Sequence, residues 1–153
     1  MNINPIKAIY RFNKEAGLLD VPYSHAKEAA YPIEEMLETF PPLDVLATKV
    51  NAVDSSPKQV SRSIITLADS APYEPTEVDL LDKHIDAIVF SFGSIFKLGL
   101  TPQEAMNALQ IVMEANLQKL KNPSLDSEGK LSKPDNFYGP EERLQKLLDK
   151  RGS

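Results

Sequence analysis

Apolar residues recur along this chain at spacings of three and four, and no stretch alternates convincingly with a period of two. The pattern predicts helices throughout. A first helix is expected from Pro5 to about Ala16, with Ile6, Ile9, Tyr10 and Phe12 supplying its apolar side and Gly17 stopping it. A second is expected from Ser24, a suitable N-cap, to Phe40, before Pro41-Pro42; Pro32 inside it should kink or divide it. Two shorter helices follow, Leu43 to Val50 and Pro57 to Ala68, the latter capped by Ser55 or Ser56. Ala71 to Pro75 reads as a loop. Thr76 should cap a long helix ending near Leu98, with Gly99 past its end. Thr101, Pro102 and Glu104 form the start signal of a helix running to about Leu120. A polar connection, Asn122 to Tyr138, leads to a short terminal helix between Gly139 and Lys150. The expectation is an all-α, bundle-like fold in a single domain.

Composition narrows the class. The 153 residues suffice for one domain with a core, and 42% are hydrophobic. The net charge of −5, with no long basic run, argues against a nucleic-acid polymer as partner. The absence of cysteine removes disulfides, thiolate metal sites and thiol nucleophiles, and fits a cytoplasmic protein. Residues Met1 to Ile9 lack the apolar core of a signal peptide, and the apolar stretch from Ile85 to Phe96 is too short and too interrupted to span a bilayer, so no membrane partner is expected. With only His25 and His84 present, one chain cannot build a three-histidine zinc site. Neither histidine has an evident partner in sequence, and both read as surface or packing residues.

Carboxylates carry the candidate chemistry. In Ile33-Glu34-Glu35-Met36-Leu37-Glu38, Glu35 and Glu38 lie three apart and Glu34 and Glu38 four apart, spacings that share a helix face. Asp79, Asp82 and Asp86 form an acidic stripe on the long helix. Ala87, Ile88, Val89 and Phe90 follow directly, so Asp86 should sit where its helix enters the core. Such pairs are either solvated faces or hard-oxygen ligands suited to Mg²⁺ or Mn²⁺, and two helices offering a pair each can hold one or two ions.

At these residues the chain resembles the all-α nucleoside triphosphate pyrophosphohydrolases, a superfamily that includes MazG, dimeric dUTPases and phosphoribosyl-ATP pyrophosphohydrolase. The likeness is greatest to phosphoribosyl-ATP-pyrophosphohydrolase-like members. Glu34-Glu35-Met36-Leu37-Glu38 matches their Glu-Glu-x-x-Glu motif, and Asp82-Lys83-His84-Ile85-Asp86 before an apolar helix is similar to their second motif. Leu98-Gly99-Leu100, Ala115-Asn116-Leu117-Gln118-Lys119-Leu120, Gly129-Lys130-Leu131 and Lys133-Pro134-Asp135-Asn136-Phe137-Tyr138 resemble later family elements, and Phe12 to Leu18 resembles a common opening. Lys83 stands where the family usually has Glu, so Asp82 must supply that carboxylate. The interval from Glu38 to Asp82 is longer than usual, which marks about 43–71 as a helical insertion.

The resemblance implies hydrolysis of a nucleoside triphosphate, or a related nucleotide, to the monophosphate and pyrophosphate with Mg²⁺, or Mn²⁺ in its place. It assigns Glu35, Glu38, Asp82 and Asp86 as metal ligands and makes Glu34 the candidate water-orienting base, with a ligand or a solvated residue as its alternatives. Asn116 and Lys119 suit the polyphosphate or the metal shell, and Lys130 and Lys133 either close over the phosphates or are solvated. Phe137 or Tyr138 is placed to cover a base. A homodimer or homotetramer is implied, as is a bundle completed by oligomerisation; the many-sided apolar character of the long helix independently points to at least a dimer. The connection from Asn122 to Tyr138 is long for a compact domain and is expected to be mobile until nucleotide binds. Two other classes stay open: a degenerate nucleotide-binding or protein-interaction module, and a plain helical bundle with a solvated acidic stripe.

Overall fold

A computed structural model describes residues 4–40, 42–70, 74–125 and 130–151. The described chain is helical: α1 (Pro5–Glu15), α2 (His25–Leu37), α3 (Asp44–Lys49), α4 (Pro57–Ala68), α5 (Glu77–Lys97), α6 (Pro102–Leu117) and α7 (Glu141–Asp149), with 3₁₀ turns at Leu18–Asp20 and Gln118–Leu120. Among the described residues the only extended pairing is an isolated antiparallel bridge, Leu125 to Leu131. No single described helix is long and apolar enough to cross a membrane.

Helix starts follow local chemistry. Asn4, Ser56 and Thr101 each precede a proline, and each side chain accepts a hydrogen bond from the backbone N–H three residues on. Proline at the first position lacks an N–H that would have no helical partner anyway. Thr101 and Glu104 form a full capping box: the Glu104 N–H donates to Thr101 Oγ1 at 3.3 Å, and the Thr101 N–H donates to Glu104 Oε2 at 2.7 Å. Thr76 and Asp79 repeat that arrangement at the start of α5, so the first residue of the acidic stripe is committed to a cap. These bonds hold the Asp79 and Glu104 carboxyls below the usual carboxylate range, the Thr76 hydroxyl acting first for one and the Thr101 backbone N–H for the other. Helix ends are equally local. Gly99, at φ 89°, closes α5. Asn51, at φ 52°, closes α3 as the Ala52 N–H donates to Ala47 O across the turn.

The chain divides into two compact units, Met1–Val21 with His84–Ser153, and Pro22–Lys83. In the second, α2 packs on α4 and α3 lies beside α4. Leu43, Ala47 and Val60 form the core, with Leu37, Leu46, Val50, Ala52 and Ile64 around them. Ser61 is fully buried and its hydroxyl donates back to Lys58 O at 2.9 Å, which satisfies it within α4. α2 runs undivided through Pro32, although sequence alone also allowed a division there. Pro32 lies on the exposed side, where water can serve the carbonyl that its missing N–H leaves free.

In the first unit α1 packs on α6, and α7 on α6. Pro5 and Ala8 of α1, with Ala105, Ile111, Met113 and Ala115 of α6, are buried. Arg143 on α7 pairs with Glu114 on α6 at 2.6 Å. Burial pushes the Glu114 carboxyl up, but hydrogen bonds from Gln110 and Arg143 outweigh it and hold the group below its ordinary value. Arg151 Nη1 donates to Leu98 O at 3.0 Å, which places a cation at the negative end of α5.

α5 itself departs from expectation. It buries no residue, and Asp86, Ala87, Ile88, Val89 and Phe90 are all exposed. Asp86 therefore does not mark entry into a core of this chain. A helix apolar on several sides cannot be covered on all of them by the few small residues the chain buries.

Thr101→Ala should lower unfolding stability by about 1 kcal/mol, the usual worth of an N-cap, as read from urea denaturation at neutral pH. Because the folded Glu104 carboxyl is held low, its stabilisation is present above the unfolded carboxylate value and is lost as pH falls through the folded one. The gap between wild type and Thr101→Ala should accordingly shrink as the pH is lowered through that range.

Candidate functional site

The Glu-Glu-x-x-Glu segment lies on the last turn and C-cap of α2. Its members part company there. Glu34 shares the buried face with Ala30 and is only 9% exposed, while Glu35 and Glu38 are exposed. Glu34 is thus not a solvated residue; it is the one charged side chain among the described residues in the buried class. A carboxylate withdrawn from water requires compensating interactions. Glu35 and Glu38, three apart, point outward together.

Asp82 and Asp86 lie one turn apart on α5, both exposed. Asp82 belongs to the same unit as the α2 carboxylates, and Asp86 to the other. Lys83 places its Nζ 2.9 Å from His25 Nδ1 at the first turn of α2. For an ammonium to donate there, the imidazole must present Nδ1 as an acceptor. Glu34 is nine residues further along α2, roughly 14 Å of helix rise, so this contact occupies the opposite end of α2 from the carboxylate motif. The contact also gives His25 a partner that the sequence did not reveal.

The donor set is chemically right for a hard divalent ion, being carboxylate oxygen throughout. Among the described residues, however, no three His, Asp or Glu side chains come together in a group that could hold one.

The remaining candidates, Asn116, Lys119, Lys130 and Lys133, all lie in the first unit, around the end of α6. Asn116 and Lys119 are half-buried, Lys130 is half-buried, and Lys133 is exposed. Two of the lysines converge on one ring: Lys119 Nζ lies 5.7 Å and Lys133 Nζ 5.3 Å from the Phe137 centroid, within cation–π range. Phe137 thus has two cations over its ring. Beside it is an open hollow of about 280 Å³ lined by Asn122, Ser124, Ser132, Lys133, Asp135 and Asn136 with Pro134.

The described ends of the long connection are tied to each other and to α6. Leu125 and Leu131 form their bridge, and the Ser132 N–H donates to Ser124 O at 2.8 Å. Gln118 clamps the far end with both halves of its amide: Nε2 donates to Tyr138 O at 2.9 Å, and Oε1 accepts from the Tyr138 N–H at 3.1 Å. The Tyr138 hydroxyl donates to Glu142, which also pairs with Lys146 at 2.6 Å. That bond to Glu142 holds the Tyr138 hydroxyl above its ordinary range. Tyr138 is thereby linked to α7. Residues 126–129, which include Gly129, lie outside the described residues.

Gln118→Ala should release the Tyr138 amide. Hydrogen exchange at that amide should quicken at least tenfold, while the amides inside α6 keep their protection; unchanged exchange at Tyr138 would show that the clamp does not hold the loop. Glu34→Ala should cost about 1–3 kcal/mol in urea denaturation, the loss of a buried polar partner, whereas Glu35→Ala should stay within a few tenths.

Comparisons with protein-family models, with curated proteins and with solved structures return no match to this chain.

Proposed function

We propose that the chain is a cytoplasmic, Mg²⁺-dependent nucleotide pyrophosphohydrolase that works as a homodimer or homotetramer, its all-α bundle completed by the partner copies. One observation carries the reading. The two acidic motifs, in the family's order, fall on helices: Glu34, Glu35 and Glu38 on the end of α2, and Asp82 and Asp86 one turn apart on α5. In both helices the residues assigned as ligands are the exposed ones.

Glu35 and Glu38 on α2 and Asp82 and Asp86 on α5 would hold the divalent ion only once partner copies bring the two pairs together, since Lys83 beside Asp82 lies at the opposite end of α2 from the Glu-Glu-x-x-Glu segment; Mn²⁺ would be able to replace Mg²⁺. The ion supplies neutralisation of phosphate charge and a more acidic bound water. The exposed carboxylates alone would repel a polyphosphate, so substrate and ion bind together. Lys119 and Lys133, arranged about Phe137, and Lys130 and Asn116 beside them supply cationic and amide contacts for phosphate oxygens. Glu34, buried and fixed by α2, orients the attacking water and accepts its proton. The water oxygen adds to phosphorus, the α–β bridging bond breaks, and the bridging oxygen leaves with pyrophosphate.

A second reading is favoured by one specific contact. Lys83, in place of a ligand, is engaged with His25. A chain with that replacement can bind nucleotide without cleaving it, as a binding or interaction module.

Incubation with a panel of nucleoside triphosphates and Mg²⁺ decides between the readings. The enzyme reading expects pyrophosphate and monophosphate in equal amounts, turnover lost on chelation, and at least a thousandfold loss in Asp86→Asn with helicity retained. Magnesium-dependent binding with no turnover of any nucleotide supports the module, and wild-type activity in Asp86→Asn refutes the site.

A further inference from the structure

The reading above requires copies of the chain to associate without saying how. On α5, Val78, Leu81, Ile85, Ile88, Phe92 and Ile95 follow one another at steps of three, four, three, four and three. This is an unbroken a/d stripe, with Val78, Ile85 and Phe92 at a and Leu81, Ile88 and Ile95 at d. The stripe is bare where a lone chain would need it covered: Val78 is 74% exposed, Leu81 65%, Ile85 50% and Ile88 51%. Phe92 and Ile95 are half-buried. Solvated a and d positions of this kind are complementary to a second helix of the same spacing, and α5 is itself such a helix.

We propose that α5 pairs antiparallel with α5 of a second copy of this chain, centred between Ile85 and Ile88. Charge fixes the direction. In a parallel pair the flanking positions would set Glu77 of each chain against Asp82 of the other, two like-charge contacts at the seam's edge. In the antiparallel pair Asp82 faces Val89, His84 faces Ser91, and Glu77 lies by Leu98, next to Lys97. No two acidic groups meet, the acidic first turns of α5 approach the other helix's basic end, and the helix dipoles oppose. With successive residues turning about 100°, Asp82 flanks the stripe about a quarter of a turn from its centre, while Asp79 and Asp86 lie more than a third of a turn away. Asp79 and Asp86 therefore stay open beside the seam, with Asp82 at its edge.

The inference rests on the proposed self-association but not on any nucleotide chemistry. Sedimentation of the full chain at micromolar concentration should give twice the 17.0 kDa chain mass, or a multiple of that pair. Ile85→Lys with Ile88→Lys should reduce the mass at least twofold while circular dichroism shows α-helix retained; an unchanged mass places the interface elsewhere and overturns the proposal. Direction is read by oxidative cross-linking, because the chain has no cysteine of its own. Val78→Cys chains mixed with Ile95→Cys chains should cross-link, and Val78→Cys alone should not, since its two copies would stand roughly 25 Å apart against the ~7 Å limit of a disulfide. Cross-linking of Val78→Cys alone overturns the antiparallel arrangement, and a monomer at 17.0 kDa overturns the pairing altogether. A monomer that still releases pyrophosphate removes this inference and leaves the enzyme reading; a cross-linked dimer without turnover does the reverse.

Discussion

The shortage of large buried side chains governs this molecule. Among the described residues ten hydrophobic side chains are buried, and five of them are alanines, at positions 8, 30, 47, 105 and 115. Val60 and Ser61 are the largest of the described side chains completely withdrawn from water. Such small residues allow close helix approach, but each removes little apolar area from water. Meanwhile Val78, Leu81, Val89 and Phe90 remain outside. Fully burying a side chain of that size is worth about 1.5–3 kcal/mol, so the apolar surface left on one helix is large beside the few kcal/mol by which domains are stable.

Much of the architecture is legible in the sequence because its signals are local. The Thr101-Pro102-Gln103-Glu104 start, the Gly99 stop and the bounds of α4 require only a few neighbouring residues to agree, and they are found where expected. Burial is another matter. The apolar run after Asp86 does indicate a surface that avoids water, yet the pattern cannot say which chain supplies the cover. Pro32 is similar: its effect on α2 depends on which side faces solvent, which only packing decides.

For the candidate site, the placement of the carboxylates on helices was readable from spacing, but their convergence was not. Glu34 and Glu35 are adjacent in sequence and differ in burial because α4 covers one face of α2. Lys83 and His25 meet across 58 positions, and Gln118 and Tyr138 across 20. No periodicity within one element encodes such pairs. The gathering of Lys119 and Lys133 at Phe137 needed the fold of the connection as well as the lysines.

The three proline-led helix starts carry an evolutionary consequence. At Asn4, Ser56 and Thr101 the residue that begins the helix also supplies its first acceptor, so the register of α1, α4 and α6 is written into each helix rather than into the segment before it. Residues added to or lost from the connection ahead of Ser56 would change its length without sliding α4 along its axis. Val60 would still meet Leu43 and Ala47 at the same depth. Lineages of this chain can therefore vary the spacing between their helices while the faces that pack, and the carboxylates carried on the adjoining faces, keep their angular order.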